Sequence, residues 1–312
     1  MKVLITCPPM LALVEAFGPI FKELGWEVTA PEVTQTLSES ELVALVPDHD
    51  GWIIGDDPAT RAVFQAGWSG RLRAAVKWGI GTDNVDFEAC SDLAIPICNT
   101  PRMFGAEVAD IAVGYVIGLA RETFFIDREV RKGKWPKPAG ISLAGKTVAI
   151  VGLGDIGGNV AKRLLAADMR IIGYDPAVPA GTIASEIELA TWPTDLDRAD
   201  FLVITCALTS SSHHMLNTSA FSKAKRGVRV VNVSRGPVID EQALIRALES
   251  GAVHSAALDV FEQEPLSIDS SLRHFERCIF GSHNASNTAD AVVRTSDLAI
   301  KKLAEFFAMA RI

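Results

Sequence analysis

The stretch TVAIVGLGDIGGNVAKRLLAADMRIIGYDP, residues 147–176, decides the fold. TVAIV is a continuous apolar run rich in β-branched residues, the form of a strand covered on both faces. RIIGY at 170–174 is a second such run, and helical spacing lies between them, so the segment reads strand, turn, helix, strand. Gly152, Gly154 and Gly157 form GxGxxG at the first turn. Gly152 permits the tight turn, Gly154 lets the backbone approach a pyrophosphate, and Gly157 lets helix and strand pack closely. The helix N-terminus adds N–H groups and partial positive charge for that anion. Asp175 ends the second strand, 18 residues after Gly157, where its carboxylate can bond both ribose hydroxyls and repel a 2′-phosphate. A nicotinamide or flavin dinucleotide is the ligand such a segment calls for, and Asp175 favours NAD over NADP.

Outward from this segment, apolar runs alternate with amphipathic stretches in both directions. KVLIT, WEVTA, GWIIG, RAAVKWGIG and AIPICN come before it; FLVITCALT, VRVVNVSRG, HSAALDVF and CIFGSHN come after. The rhythm predicts an α/β protein of two Rossmann-like domains, each a mostly parallel sheet with helices on both faces, with the active site in the cleft between them. A helical pattern from Ala106 to Arg131 and the loop KGKWPKPAG separate the two rhythms. A last helical segment, Ala289 to Met309, has no sheet of its own to cover and is expected to return to the first domain. The expected division is a discontinuous substrate domain, 1–98 plus 286–312, and an NAD-binding domain, 99–285.

The composition narrows the partners. With 312 residues, 48 % hydrophobic and a net charge of −8, the chain reads as globular and lacks the basic footprint of a nucleic-acid binder. Its most apolar stretch, Ile111 to Ala120, falls short of the roughly 20 residues a bilayer span needs. MKVLITCPPM is too short an apolar run for a secretory leader, so a cytoplasmic protein is expected. Cys7, Cys90, Cys98, Cys206 and Cys278 show no zinc-ligand spacing, which points to reduced thiols and no metal site.

Three further strand ends carry chemistry. VRVVNVSRG delivers Arg235 to the carboxyl edge of the sheet, where a planar guanidinium can hold a carboxylate bidentately; the alternative is a solvated strand-end arginine. SAALDVFEQEP brings Asp259, Glu262 and Glu264 to the end of the next strand, and FGSHNAS brings His283 to the end of another. A histidine and a carboxylate in one crevice form a general acid–base pair suited to a carbinol proton. His49, His213, His214, His254 and His274 are read as surface or structural histidines.

Taken together, the glycine fingerprint with Asp175, VNVSRGPVIDEQAL, ALDVFEQEP and the histidine of GSHNAS resemble the D-isomer-specific 2-hydroxyacid dehydrogenase family over nearly the whole chain. The resemblance implies that Arg235 binds the substrate carboxylate and keto oxygen, that His283 transfers the proton, and that Glu264 pairs with His283, leaving Glu262 a bystander. It implies a cofactor site of Gly152, Gly154, Asp155, Ile156, Gly157, Asp175, Cys206, Ser234 and Asp259, the last meeting the nicotinamide carboxamide. KWGIGTDNVD resembles the loop that meets the carboxylate near Ile80 and Gly81, so Lys77, Trp78, Gly79, Ile80, Gly81 and Arg102 become candidate substrate-binding residues, Lys77 and Arg102 as cations for a charged tail. The implied activity is NAD-dependent hydride transfer at C2 of a small D-2-hydroxy or 2-keto acid, such as 3-phosphoglycerate, hydroxypyruvate or glyoxylate, in a homodimer formed through the cofactor domain. Three departures stand out. Ser282 and Ala207 replace prolines common in the family, and Gly55 of GDDP stands where classical phosphoglycerate dehydrogenases carry an arginine. An NADH-sensing regulatory protein, like the corepressors that share this fold, is the alternative from another functional class.

Overall fold

The computed structural model describes residues 1–179 and 184–309. Residues 310–312 of the expected substrate domain and 180–183 of the expected NAD-binding domain lie outside the described residues. The chain divides into two compact units, one made of Met1–Phe104 and the segment from Asn287 onward, the other of Gly105–Ser286.

In the first unit, β1 (Lys2–Ile5), β2 (Glu27–Thr29), β3 (Gly51–Ile54), β4 (Ala74–Lys77) and β5 (Ile97–Asn99) form a parallel sheet in the order β2-β1-β3-β4-β5. The central strands are fully buried because helices cover both faces, which is why they read as unbroken apolar runs rather than alternating ones. Trp52 and Phe64, with ring centroids 5.9 Å apart, anchor one face. The long helix Ala289–Met309 covers the other. A Cβ on Gly51 would stand 2.6 Å from the Phe307 ring and 3.0 Å from Leu303, so only a glycine lets this helix lie so close to β3.

In the second unit, β6 (Thr147–Val151), β7 (Arg170–Tyr174), β8 (Ile187–Leu189), β9 (Phe201–Ile204), β10 (Val228–Asn232), β11 (Val253–Leu258) and β12 (Ile279–Phe280) form a parallel sheet in the order β12-β11-β10-β9-β6-β7-β8. The chain moves from β6 to one side for β7 and β8, then crosses to the other for β9 onward. That reversal opens a crevice at the carboxyl ends of the strands flanking β6, the usual ligand position in such sheets. No helix among the described residues is long and apolar enough to cross a membrane.

Two elements differ from expectation. The single helix expected over 106–131 is two helices, Gly105–Arg121 and Thr123–Arg131, hinged at Glu122 with φ +52°. A left-handed glutamate is strained, and here it is compensated: its buried carboxylate lies 3.3 Å from Arg277 Nε and 3.9 Å from His254 Nε2. The short edge strand β8 escapes a sequence search because Ile-Glu-Leu offers only three residues and no continuous apolar run.

Candidate active site

The glycine-rich turn has the geometry that its spacing implies. Gly152 leaves β6 with φ +91°, and a Cβ there would stand 2.6 Å from the Cys206 backbone. A Cβ on Gly157 would lie 1.9 Å from the Gly152 carbonyl oxygen, so helix Asp155–Leu165 can start this close to β6 only with glycine. Around Gly154 no atom comes within 4 Å of the Cβ position, and no side chain caps the helix that follows. An open backbone at an uncapped helix N-terminus is a place where a pyrophosphate fits. Asp155 and Ile156 begin that helix, Asp155 exposed and Ile156 half-buried.

Asp175 is held by the turn it serves: Oδ2 accepts from Leu153 N at 2.8 Å and Oδ1 from Ala177 N at 2.9 Å. Each oxygen retains a lone pair for a ribose hydroxyl. Burial pushes the Cys206 thiol up to about 11, so beneath Gly152 it acts as a neutral packing group. Thr205, which the sequence reading missed, donates from Oγ1 to the Gly152 carbonyl at 2.7 Å and clamps the turn.

The residues expected to do chemistry are organised by Asn232 and Asp259. Asn232, the last residue of β10, accepts through Oδ1 from Ser234 N at 3.0 Å and Ser234 Oγ at 3.1 Å, and donates from Nδ2 to the Arg235 carbonyl at 3.0 Å. It fixes the backbone from which the half-buried Arg235 side chain leaves. A polar residue inside the apolar run RVVNV was the available signal, and it was not used. Asp259 is buried, hydrogen-bonded to the Tyr115 hydroxyl, and accepts from Asn284 N at 3.3 Å and Ala285 N at 2.9 Å. Its own carbonyl accepts from His283 N at 2.7 Å, so Asp259 clamps the histidine loop. Gly281 is required there, because a Cβ would stand 2.1 Å from the Asp259 carboxylate.

His283, held at φ +55°, turns Nδ1 to within 2.7 Å of Glu264 Oε2, with both side chains about one-fifth exposed. Glu264 Oε1 accepts from Phe261 N at 3.0 Å, which fixes the carboxylate. A histidine whose Nδ1–H is held by a carboxylate leaves Nε2 to exchange protons, the arrangement that supports a general acid or base. Glu262 does not touch His283; its carboxylate faces His214 and Glu241.

In the first unit, Lys77 departs from the loop cation expected of it. It is the last residue of β4, 2 % exposed, and its ammonium donates to Asp56 Oδ1 and to the Trp78 carbonyl, both at 3.0 Å. A buried ammonium needs a counter-charge, and Asp56 supplies it. Gly79, at φ +114°, donates through its N–H to Thr100 Oγ1 at 2.7 Å; Trp78 is buried with Nε1 donating to Ser296 Oγ at 3.1 Å. Ile80 is exposed, Gly81 half-exposed, and Arg102 exposed at φ +59°. Among the described residues, no group of histidine, cysteine and carboxylate side chains is arranged to hold a metal ion.

Comparison with known proteins identifies the family. Residues 113–285 match the NAD binding domain of the D-isomer specific 2-hydroxyacid dehydrogenases. The chain is 36 % identical over 282 residues to a hydroxypyruvate reductase of Thermotoga maritima, an alignment that takes in 87 % of this chain and 90 % of that protein. It is 35 % identical over 287 residues to D-3-phosphoglycerate dehydrogenase 2, chloroplastic, of Arabidopsis thaliana; 91 % of this chain is covered, yet it spans only about half, 46 %, of that relative's length. The crystal structure of a glyoxylate reductase from Paecilomyes thermophila superposes with a TM-score of 0.83 at 26 % identity, over 96 % of this chain and 93 % of that one. With the glycine turn, the strand-end carboxylate and the histidine–glutamate pair in place, the chain belongs to the D-isomer specific 2-hydroxyacid dehydrogenase family.

Proposed function

We propose that the chain is an NAD-dependent dehydrogenase that interconverts small D-2-hydroxy acids and 2-keto acids with short uncharged tails, hydroxypyruvate and glyoxylate ahead of 3-phosphohydroxypyruvate. The observation that carries the activity is the 2.7 Å His283–Glu264 pair at the same sheet edge as Arg235 and the glycine turn. A nicotinamide dinucleotide held at its pyrophosphate by the turn of Gly152, Gly154 and Gly157, at its ribose by Asp175 and at its carboxamide by Asp259 would supply the hydride to C2 or accept it. In reduction, His283 gives its Nε2 proton to the C2 oxygen while Glu264 stabilises the charged imidazole; in oxidation the proton returns to Nε2. Arg235 binds the carboxylate and balances charge building on the oxygen. The N–H groups of Ile80 and Gly81 are assigned to the same carboxylate by family resemblance.

The tail preference rests on two features of the first unit. Gly55 has no room for the missing arginine, since a Cβ would stand 2.8 Å from the Thr6 carbonyl, and the Lys77 charge is already matched by Asp56. Of the two cations expected for a charged tail, that leaves Arg102 to meet a phosphate dianion, a weaker match than an added arginine would give. The five free cysteines support a reducing compartment such as the cytoplasm. A homodimer through this unit rests on the family resemblance, and a monomeric mass in sedimentation equilibrium would count against it.

NADH consumption with hydroxypyruvate, glyoxylate, 3-phosphohydroxypyruvate and 2-ketoglutarate tests the assignment. The two small acids are expected to exceed the phosphorylated one in kcat/KM by about tenfold or more, a difference of about 1.4 kcal/mol. Preference for 3-phosphohydroxypyruvate overturns the tail assignment. Tight NADH binding with turnover of none of the four supports the regulatory alternative instead.

A further inference from the structure

Glu262 lies two residues before Glu264, and its bonds run sideways to the two neighbouring loops. Its Oε1 lies 2.9 Å from His214 Nε2 and accepts from Glu241 N at 3.1 Å, while its own N–H donates to Glu241 Oε2 at 3.4 Å. His214 belongs to the loop after β9, Glu241 to the segment just past Arg235, and Glu262 to the loop after β11. One side chain thus ties three strand-end loops together. The same loops meet at the backbone, where His214 N donates to the Pro237 carbonyl at 2.8 Å. Gly236 lies so close to Phe261 that a Cβ would stand 1.8 Å from its carbonyl carbon. The contact leads to the proton-transferring pair, because Phe261 N donates to the glutamate that holds His283.

The local chemistry supports a tie over a chance surface contact. Burial raises the Glu241 carboxyl above the usual range, with the Glu262 charge adding to the effect, so two carboxylates sit together at a cost. The cost is offset by their reciprocal bonds to each other's backbone and by the His214 imidazole, whose ring stacks on His213 with centroids 4.0 Å apart. His214 itself is held at φ +50°, an orientation that aims the ring at Glu262.

Resting on the roles proposed for Arg235, Glu264 and His283, we infer that Glu262 is a positioning residue. With His214 and Glu241 it sets the loop that carries the carboxylate-binding guanidinium against the loop that carries the proton-transferring pair. Displacements near 1 Å at such a site cost on the order of 10²-fold in rate.

Steady-state reduction of hydroxypyruvate, together with NADH binding and oxalate binding to the NADH-loaded protein, tests this on wild type, Glu262→Ala, Glu262→Gln and His214→Ala. Glu262→Ala is expected to raise KM about tenfold and lower kcat several-fold, with NADH affinity within about twofold of wild type. Glu262→Gln keeps an oxygen that accepts from Glu241 N and stands against His214, and it should recover to within about threefold of wild type, since the tie depends on acceptor geometry. Wild-type kinetics in Glu262→Ala, equal damage in the glutamine and alanine variants, or parallel loss of NADH affinity overturns the inference. If Glu262→Ala does not fold, His214→Ala decides: a KM raised about threefold or more supports the tie, and an unchanged KM overturns it. His283→Ala, run alongside, separates the two levels. Full turnover by that variant defeats the catalytic assignment, while the oxalate affinities of the Glu262 variants still decide for or against the positioning role.

Discussion

Asp175 shows how one carboxylate can do two jobs. Its oxygens accept from Leu153 N and Ala177 N, which stiffens the glycine turn, and under the proposed function their negative charge would repel a 2′-phosphate. Wild type is therefore expected to favour NADH over NADPH by about tenfold or more in kcat/KM. Asp175→Asn, which removes the charge while leaving one acceptor, should narrow that ratio chiefly by improving NADPH; a ratio unchanged in the variant would show that the charge does not select. The geometry of this turn was legible in the sequence because the fingerprint, its spacing and the terminal carboxylate are local. The partners of Lys77 and Glu262 were not. Asp56 lies just past the end of β3 and Glu241 at the start of helix Glu241–Glu249, each 21 residues away along the chain, and no spacing rule announces such a pair.

Among the elements, the parallel strands could be read because burial on both faces leaves continuous apolar runs, whereas the helix break at Glu122 could not. The break depends on a tertiary cluster: Glu122 meets Arg277 and His254, with Arg229 beside them and the His254 Nδ1 within 2.9 Å of Ser255 Oγ. Burial, followed by the Arg229 and Arg277 charges, lowers the His254 pKa despite the opposing pull of Glu122. The unfolded chain then takes up a proton more readily than the folded one. Stability from neutral His254 is complete above about pH 6.5 and falls as pH drops toward the lowered folded value. Melting temperature is expected to decline between about pH 6.5 and pH 5 more steeply for wild type than for His254→Asn. Parallel curves would show that this histidine does not set the acid limb.

At the scale of the molecule, the twofold α/β rhythm of the sequence corresponds to two parallel sheets, and the chain's place in its family follows from features spread over the Gly105–Ser286 unit. What the sequence left open was the acid's tail, because tail recognition turns on which charges are already neutralised. Lys77 on β4 looks available in one dimension and is paired in three. The central claim is that His283, oriented by Glu264, moves the proton that accompanies reduction of a 2-keto acid. Single-turnover reduction of hydroxypyruvate at saturating NADH by wild type and His283→Ala, with NADH affinity measured in parallel, tests it most directly. The account predicts a rate loss on the order of 10²–10⁴ with NADH affinity preserved. Reduction at the wild-type rate by His283→Ala would contradict it.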